Sequence, residues 1–492
     1  MKKQLFLSFL LMLLASIIWA QNLSTPQKNQ KALLTFLNTP GFQSASISFV
    51  AMDLQSQEII CSHSPHKVLK PASSLKLLST ASALELLGPD FKFKTQLLYN
   101  GKIEAQTQEL KGNIIIKGYG DPSLGSSHFR TTNDDDFFSH CILALKKTGI
   151  SSISGRIIGD ARYYSSESIP ETWTWESMGN YYGAGPNGLS IFDNTYKLYF
   201  RTGAKVGQAS KITGISPNIP NLSFNNKVKS AAISYDNAYL YASPYSNNIE
   251  IRGELPLNKS KFAIKGSIPD PAYLCAYTLD SLLKQSSISI KNNPSTFRLM
   301  PSLAQGKQTH IIYTHYSPSL KEIIKKTNTH SINLFAELCL IEAGIALKAQ
   351  PKTKNAADSV LSYWKKRQMP TQGLRIYDGS GMSHYNSISA SQLVFLLNYM
   401  RNESNYYQSF YESLAIAGKT GTLKYFLQNK KTEGKIHAKS GTIDFGKSYA
   451  GYIKTVSGKE IAFAIIVNNY SCSKKEATQK IAQLIEKLTL NN

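Results

Sequence analysis

Apolar and polar residues alternate along SASISFVAMDLQSQEIICSHSP, residues 44–65, with a polar stretch in the middle. A two-residue period broken by a polar turn predicts a β-hairpin. Immediately after it, apolar residues recur at helical spacing from Leu77 to Leu84, and a Gly-Pro pair supplies a stop. The pattern predicts a helix that begins close to Ser73.

The middle of the chain, from about Lys92, has a different pattern. A strand–helix–strand order occurs early in this stretch and again near its end, and the sequence between is rich in tyrosine, asparagine and short strands. Helices dominate from about Gln308, and the C-terminal part returns to strands and one last helix. These patterns predict a multidomain α+β chain whose two ends form one domain around an insertion. The expected domains are residues 21–90 with 304–492, an inserted α+β domain of residues 91–185 with 262–303, and a small β-rich domain of residues 186–261.

The chain begins MKKQLFLSFLLMLLASIIWAQ, which is two lysines, an apolar run from Leu5 to Trp19, and Ala20 before Gln21. This order is typical of a secretory signal peptide, residues 1–20, cleaved after Ala20. A retained membrane anchor is the alternative, but the run is shorter than the roughly 20 residues that span a bilayer. We therefore expect a chain that is secreted across the inner membrane and is periplasmic.

The formal net charge is +23, and loss of Lys2 and Lys3 with the signal peptide leaves +21. The lysines are spread along the chain and form no stripe with aromatic residues, so no nucleic-acid partner is expected. The charge fits peripheral association with an anionic membrane or cell wall, and equally a solvated surface. The five cysteines lack a CxxC pair, and Cys141, Cys275 and Cys339 fall in apolar helical patterns that predict core positions.

Ser73 and Lys76 in PASSLK are candidates for a nucleophile and its base. Residues three apart share one face of a helix, so the lysine amine can reach the serine hydroxyl. A desolvated lysine can activate a serine, and backbone N–H groups at a helix start can stabilise an oxyanion. Two other segments, SLLK from Ser281 and SCSK from Ser471, fit S-x-x-K equally well. The helix start, the preceding Pro-Ala and two motifs downstream favour Ser73.

Ser331 and Asn333 in NTHSINLFAE stand at the start of another predicted helix. A hydroxyl and an amide two residues apart on a helix-opening turn can face one pocket, where the hydroxyl relays a proton and the amide holds a substrate carbonyl. The tripeptide alone is weak, because Ser216–Asn218 and Ser223–Asn225 also fit S-x-N.

A third element requires a lysine on an edge strand followed by glycine, so that a substrate backbone can lie close to it. Two segments qualify, Lys419-Thr-Gly in LAIAGKTGTLKYF and Lys439-Ser-Gly in GKIHAKSGTI. Only the second lies in an alternating strand pattern, whereas glycines flank the first and indicate a loop. We therefore assign Lys439 and set Lys419 aside.

The ordered set PASSLK, HSINLFAE, YDGSGMSHYNSIS and HAKSGTI resembles the low-molecular-mass class C penicillin-binding proteins, the D-Ala-D-Ala carboxypeptidase/endopeptidase family. IKGYGDPSL, GRIIGD, WTWESMGNYYGAG and SIPDPAYL extend the resemblance over nearly the whole chain after residue 20. It implies a penicillin-binding-protein/β-lactamase-like transpeptidase domain, an antiparallel sheet flanked by helices. We interpret the Asp-Gly-Ser-Gly stretch from Asp378 as a structural tight turn.

The resemblance implies a serine peptidase that acts on peptidoglycan peptides and is acylated by β-lactam antibiotics. Lys76 would deprotonate Ser73, and Ser331 would pass a proton to the departing amine. Asn333 would orient the substrate amide, while Lys439 with Ser440 would hold the terminal carboxylate. The remaining roles that the resemblance implies are close backbone approach at Gly441 and an oxyanion hole from the N–H groups of Ser73 and Thr442.

The chain departs from the family pattern at three places. The middle residue of S-x-N is Ile332 where aspartate is common, and the KTG element is KSG, which keeps a hydroxyl. After the tryptophans, where the family tends to carry acidic residues, this chain has Glu176 and Ser177. Glu176 would then have to bind a cationic substrate side chain. No cofactor or metal is expected, because the histidines form no ligand motif.

Two alternative functions share these parts. One is a β-lactamase or esterase of the same fold, which the large insertion disfavours. The other is a non-catalytic peptidoglycan-binding protein, which the complete set of catalytic residue types disfavours. The sequence leaves open whether carboxypeptidase or endopeptidase activity dominates.

Overall fold

The computed structural model describes residues 24–129, 137–165, 167–304 and 308–492. The predicted signal peptide, residues 1–20, lies outside these ranges. Among the helices within them, none combines the length and the apolar character that crossing a bilayer requires.

The described residues form α-helices and short 3₁₀ turns, and one of these turns, Ala72–Leu75, contains Ser73. The α-helices are α1 Thr25–Leu37, α2 Lys76–Leu87, α3 Phe137–Lys147, α4 Trp175–Met178, α5 Pro271–Gln285, α6 Leu320–His330, α7 Asn333–Ala346, α8 Thr353–Lys366, α9 Ala390–Asn402, α10 Tyr407–Ser413 and α11 Lys474–Asn491.

The strands belong to several separate sheets. They are β1 Ser46–Asp53, β2 Ile59–His63, β3 Lys94–Asn100, β4 Lys102–Glu104, β5 Glu109–Lys111, β6 Ile114–Gly118, β7 Ser152–Ile153, β8 Ile157–Asp160, β9 Thr195–Arg201, β10 Lys211–Ser216, β11 Ser223–Asn226, β12 Lys229–Ala231, β13 Asn237–Tyr241, β14 Asn248–Pro256, β15 Phe262–Ser267, β16 Ser289–Ile290, β17 Ser295–Thr296, β18 Thr309–Tyr316, β19 Ala415–Ile416, β20 Ile436–Ile443, β21 Gly446–Lys454 and β22 Glu460–Asn468.

The chain divides into two compact units. The first contains the residues up to Ser74 together with Ser387–Glu403 and Leu414–Asn492, and the second contains Leu75–Asn386 and Ser404–Ser413. The domain boundaries expected from the sequence remain a prediction.

The first unit is built on an antiparallel sheet with the order β19-β20-β21-β22-β1-β2. Side chains of β22 alternate between its two faces. Ile461, Phe463 and Ile465 belong to the apolar core that includes residues of α1 and α11. Helix α9 also packs against this sheet. Both chain ends therefore contribute to one sheet, because β1 pairs with β22 along its whole length.

Helices of the second unit pack around α2, whose residues from Lys76 to Leu84 are buried. It packs against α6 and α7, and the Trp364 indole of α8 donates a 2.8 Å hydrogen bond to the Ser82 hydroxyl. This surrounding layer explains why α2 is buried on all sides, including its polar residues Ser79, Thr80 and Ser82.

The rest of the second unit carries several sheets. One has the order β17-β8-β6-β3-β18, a second β16-β7-β5-β4, a third β10-β9-β15, and in the fourth β14 pairs with β11, β12 and β13. Most of their buried apolar residues form one core with α3 and α5, in which Cys141 and Cys275 are fully buried, as predicted, and Leu98, Ile115, Ile158 and Phe297 form a second, smaller cluster. The strand–helix–strand order expected twice is present, as β6 and α3 followed by β8, and as β15-α5-β16.

Candidate active site

Ser73 lies in a 3₁₀ turn, Ala72–Leu75, that runs directly into α2, so Ser73 and Lys76 are on one helical segment as predicted. Ser73 is partly exposed, whereas its neighbours in PASSLK are buried. Ala72 has φ +47°, in the left-handed region that a residue with a Cβ adopts only when its surroundings hold it there. The turn thus presents the Ser73 side chain from a constrained backbone.

Lys439, Ser440, Gly441 and Thr442 all lie on β20. The short strand β19 pairs with β20 at His437 and Ala438, and the residues from Lys439 onward continue past it along the sheet edge. An edge of this kind offers backbone groups to an extended peptide. The strand placement predicted for Lys439 is thereby observed.

Gly441 lies directly against the backbone that precedes Ser73, within the first unit. A Cβ at Gly441 would be 2.2 Å from Ser448 Oγ, 2.7 Å from the Pro71 carbonyl oxygen and 3.0 Å from Ser73 N. The Ser448 hydroxyl also donates a 2.6 Å hydrogen bond to the Pro71 carbonyl. Glycine is therefore required for the approach that brings Ser73 beside β20.

The Lys439 side chain is buried and its Nζ donates to the Ser440 carbonyl at 2.7 Å. The Ser440 hydroxyl donates to Thr422 Oγ1 at 2.8 Å. Thr422 belongs to the AGKTGTL segment that supplied the alternative lysine. Lys419 of that segment is exposed and lies outside any strand, in agreement with the preference for Lys439.

Lys76 and Asn333 meet in the second unit. The Lys76 amine is fully buried and donates to Asn333 Oδ1 and to the Ser380 carbonyl, both at 2.7 Å. The Asn333 amide in turn donates to the Tyr182 carbonyl at 2.7 Å. The Asn333 side chain and the Ser380 backbone carbonyl thus both hold the Lys76 amine in place.

Ser331 lies between α6 and α7, where it caps the end of α6 with the left-handed angles φ 61° and ψ 42°. Asn333 is the first residue of α7, as the motif predicted. The left-handed residue turns the chain sharply enough for one helix to end and the next to begin within three residues. Ser331 and Asn333 are therefore placed by the same turn.

Two buried carboxylates hold the loop that supplies the Ser380 carbonyl. Glu337, one turn along α7 from Asn333, accepts the backbone N–H groups of Gly379 and Ser380 at 2.9 and 2.8 Å. Asp378 accepts four hydrogen bonds, so all of its bonding capacity is directed at this loop and its neighbours. Its donors are Gly381 N at 2.8 Å, Asn386 Nδ2 at 2.7 Å, Trp173 Nε1 at 2.8 Å and Ser383 N at 2.5 Å.

Burial lowers the pKa of Lys76 to about 7, while the nearby Asp378 and Glu337 oppose this shift. Burial also raises the pKa of Glu337, and repulsion from Asp378 adds to the rise. A lysine with a pKa near neutrality carries an unprotonated amine in a substantial fraction of molecules. That amine can act as a general base.

Glu176 lies in the short helix α4, and its side chain is exposed. The 3₁₀ turn Tyr181–Gly183 follows α4 closely in the chain. Within this turn, the Tyr182 carbonyl accepts the hydrogen bond from Asn333. A role for Glu176 in substrate binding remains a prediction.

The D-Ala-D-Ala carboxypeptidase 3 (S13) family matches residues 29–489 of this chain. The chain belongs to this family. It is 24% identical over 454 residues to D-alanyl-D-alanine carboxypeptidase DacB of Haemophilus influenzae, covering 90% of each protein. It is 25% identical over 446 residues to D-alanyl-D-alanine carboxypeptidase of an Actinomadura species, covering 88% of this chain and 80% of that enzyme.

The chain is also similar in fold to crystal structures of penicillin binding protein 4 (dacB) from Haemophilus influenzae. One has a TM-score of 0.76 and 22% identity, covering 90% of this chain and 95% of that chain. Another, complexed with a novel β-lactam, has a TM-score of 0.72 and 22% identity, covering 91% of this chain and 97% of that chain. The multidomain α+β fold predicted from the sequence is therefore confirmed.

Membership of the S13 family confirms the resemblance on which the sequence analysis relied. The predicted activity, a D-alanyl-D-alanine carboxypeptidase of a penicillin-binding family, is confirmed with it.

Several residues around the S13 motifs were not predicted. Glu337 ends the HSINLFAE motif, and a carboxylate in an otherwise apolar helix pattern was a signal that could have revealed it. The sequence predicts a structural turn at Asp378 and Ser380, and the structure shows that this turn also binds the Lys76 amine. Thr422 lies beside the alternative lysine and has no sequence signal of its own, and no signal links Trp173 to Asp378.

Proposed function

We propose that this carboxypeptidase removes the terminal D-alanine of peptidoglycan stem peptides through an acyl-enzyme on Ser73. The observation that carries the proposal is the environment of the Lys76 amine, three residues after Ser73. A neutral amine has two N–H groups, and the acceptors at 2.7 Å on Asn333 and Ser380 can take both. A pKa of about 7 leaves a substantial fraction of this amine neutral, and a neutral amine can take the proton of a hydroxyl.

In the first step Lys76 takes the proton of the Ser73 hydroxyl, and Ser73 Oγ bonds to the carbonyl carbon of the penultimate D-Ala. The N–H groups of Ser73 and Thr442 stabilise the oxyanion that forms. Its collapse breaks the C–N bond, and Ser331 passes a proton to the departing amine. Water then cleaves the ester and restores the Ser73 hydroxyl. The close packing of Gly441 against Ser73 N supports the pairing of these two N–H groups.

Lys439 and Ser440 bind the terminal carboxylate in this proposal. A cation and a hydroxyl on neighbouring residues of an edge strand fit a carboxylate at the end of an extended peptide. The hydrogen bond from Ser440 to Thr422 orients the hydroxyl and supports this role. Asn333 orients the substrate amide and also positions Lys76, which its 2.7 Å hydrogen bond supports.

Replacement of the nucleophile tests the proposal. Ser73→Ala should abolish D-alanine release from a pentapeptide and covalent labelling by a fluorescent penicillin, because both require the same hydroxyl. Ser471→Ala, which alters the exposed serine of the alternative S-x-x-K segment, is the matched control and should leave both unchanged. Penicillin labelling of the Ser73→Ala protein would refute the assignment.

A β-lactam mimics the D-Ala-D-Ala dipeptide and would leave Ser73 acylated. The complex of the Haemophilus influenzae protein with a β-lactam supports this expectation. A stable adduct distinguishes this function from a β-lactamase, which would release the label quickly. A cross-linked dimer muropeptide added in parallel measures any endopeptidase activity by the monomer that it releases.

The site of action follows from the first residues of the chain. We infer that residues 1–20 are removed and that the enzyme works in the periplasm, where its net charge of +21 favours association with anionic wall or membrane surfaces. N-terminal sequencing of the exported protein should begin at Gln21. A protein that retains Met1 after export would contradict the inference.

A further inference from the structure

A pocket of about 670 Å³ lies in the second unit, on the sheet formed by β11, β13 and β14. Its walls include Trp175 of α4 and Tyr241 at the end of β13. Its volume is within the range of about 300–1,000 Å³ that small-molecule sites occupy. None of the residues assigned above to the hydrolytic reaction lines it.

Polar side chains form a regular row on the floor of this pocket. In the parallel pairing of β11 with β14, Ser223 is opposite Asn248 and Asn225 is opposite Glu250. In the antiparallel pairing of β13 with β14, Tyr241 is opposite Glu250. Residues that face one another across strands share a face of the sheet. The floor therefore offers hydroxyl, amide and carboxylate groups at the spacing of neighbouring strands, about 4.8 Å.

An aromatic wall borders this polar row. Trp175 is 52% exposed, and its ring centroid is 4.8 Å from that of Tyr241 at an interplanar angle of 51°. The guanidinium carbon of Arg252 lies 5.5 Å from the Trp175 ring and 5.0 Å from the Tyr241 ring. The Glu250 carboxylate pairs with Arg252 at 2.5 Å and with Lys227 at 3.0 Å, so its negative charge is compensated within the site. The wall thus combines an apolar ring face with polar groups of low net charge.

The wall is held in place before any ligand arrives. The buried Asn180 side chain donates to the Glu176 carbonyl at 2.6 Å and accepts from Leu240 N at 3.1 Å. These bonds tie the segment that carries Trp175 to the strand that carries Tyr241. A binding surface that is already ordered loses little conformational entropy when it takes a ligand.

We propose that this pocket binds an N-acetylated amino sugar of the glycan strand to which the peptide substrate is attached. A pyranose has an apolar C–H face that can stack on an aromatic ring and a rim of hydroxyls that need hydrogen-bond partners. Trp175 supplies the ring, and the floor residues supply the partners. Asparagine amides such as Asn225 and Asn248 can both donate to and accept from an acetamido group. The choice of the wall glycan rests on the proposed function, whereas the saccharide chemistry rests on the pocket itself.

The pocket is connected to the predicted catalytic residues by a short stretch of chain in the same unit. Trp175 lies seven positions before Tyr182, whose carbonyl accepts the Asn333 hydrogen bond. Such a stretch spans at most about 25 Å when extended. A glycan in the pocket and a peptide near Asn333 can therefore belong to the same polymer.

Isothermal titration calorimetry of the mature protein with an N-acetylglucosamine tetramer tests the proposal. The tetramer should bind, and Trp175→Ala and Asn225→Ala should each weaken binding about tenfold, since each removes one contact of the kind that anchors a ligand. Tyr235→Ala is the matched control, because Tyr235 is 61% exposed in the same unit and does not line the pocket. A glucose tetramer of the same linkage, which lacks the acetamido groups, should bind more weakly.

The absence of binding by the wild-type protein, or equal affinities in the wild type and both pocket variants, would overturn the proposal. Glucose and N-acetylglucosamine tetramers that bind equally would overturn the assignment to the wall glycan. D-alanine release from a free pentapeptide, which has no sugar, should be unchanged in Asn225→Ala, whereas release from intact wall should fall. A wild-type protein that binds the sugar but cleaves no pentapeptide would refute the proposed function and leave the sugar site standing.

Discussion

The replacement Asp378→Asn tests how the loop around Ser380 is supported. The aspartate accepts two hydrogen bonds on each oxygen, from donors that are themselves buried or part of the backbone. Asparagine keeps one oxygen and directs an NH₂ group at the two donors on the other side. Two hydrogen bonds to a charged acceptor are then lost, at about 1.5–3 kcal/mol each. We therefore expect the free energy of unfolding to fall by about 3–6 kcal/mol.

Urea unfolding followed by tryptophan fluorescence is suited to this measurement. Trp173, Trp175 and Trp364 all lie in the second unit, so the fluorescence reports on the unit that contains Asp378. The matched control is Asp358→Asn, which removes a solvent-exposed ion pair with Lys354. This control should change the free energy of unfolding by less than about 0.5 kcal/mol.

Activity provides a second readout for Asp378→Asn. Because the loop supplies the Ser380 carbonyl that accepts from Lys76, the rate of D-alanine release should also fall in conditions where the variant remains folded. A variant with wild-type stability and wild-type rate would show that the four donors find other partners. That result would refute the role that we give to the Asp378 carboxylate.

Three further predictions concern the proposed mechanism. The value of kcat/KM should rise through about pH 7 as Lys76 loses its proton, and below pH 7 it should fall about tenfold for each pH unit. A pH–rate profile measures this, and a flat profile would exclude Lys76 as the base. Gly441→Ala should lower penicillin acylation at least about tenfold, because the new Cβ would lie 2.2 Å from Ser448 Oγ; an unchanged acylation rate would mean that β20 can shift without cost. Lys439→Ala should raise KM for the pentapeptide strongly, whereas Lys419→Ala should not, and steady-state kinetics that give the reverse order would exchange the two assignments.

The sequence was sufficient for features that depend on local periodicity and on ordered motifs. The helix after Ser73, the strand around Lys439 and the helix opened by Asn333 were all predicted, because each has a regular apolar pattern or a turn beside it. The choice of Lys439 over Lys419 depended on the same reasoning, since only one of them alternates with apolar residues.

The remaining contacts depend on residues that are far apart in the chain. Trp173 bonds to Asp378 across 205 positions, and Lys76 reaches the Ser380 carbonyl across 304 positions. A backbone carbonyl has no signature in a sequence, so a turn that binds a lysine amine has the same pattern as a turn that only reverses the chain. Tertiary structure alone distinguishes these two cases.

The burial of both predicted catalytic amines has a practical consequence for handling the enzyme. An amine with a low pKa, such as that of Lys76, ordinarily reacts first with acylating reagents, yet the Lys76 and Lys439 side chains are both shielded from solvent. Reagents such as succinimidyl esters should therefore modify the many surface lysines and spare these two. The enzyme could be coupled through its surface lysines to a solid support, or labelled with a dye, and keep its capacity to react with penicillin.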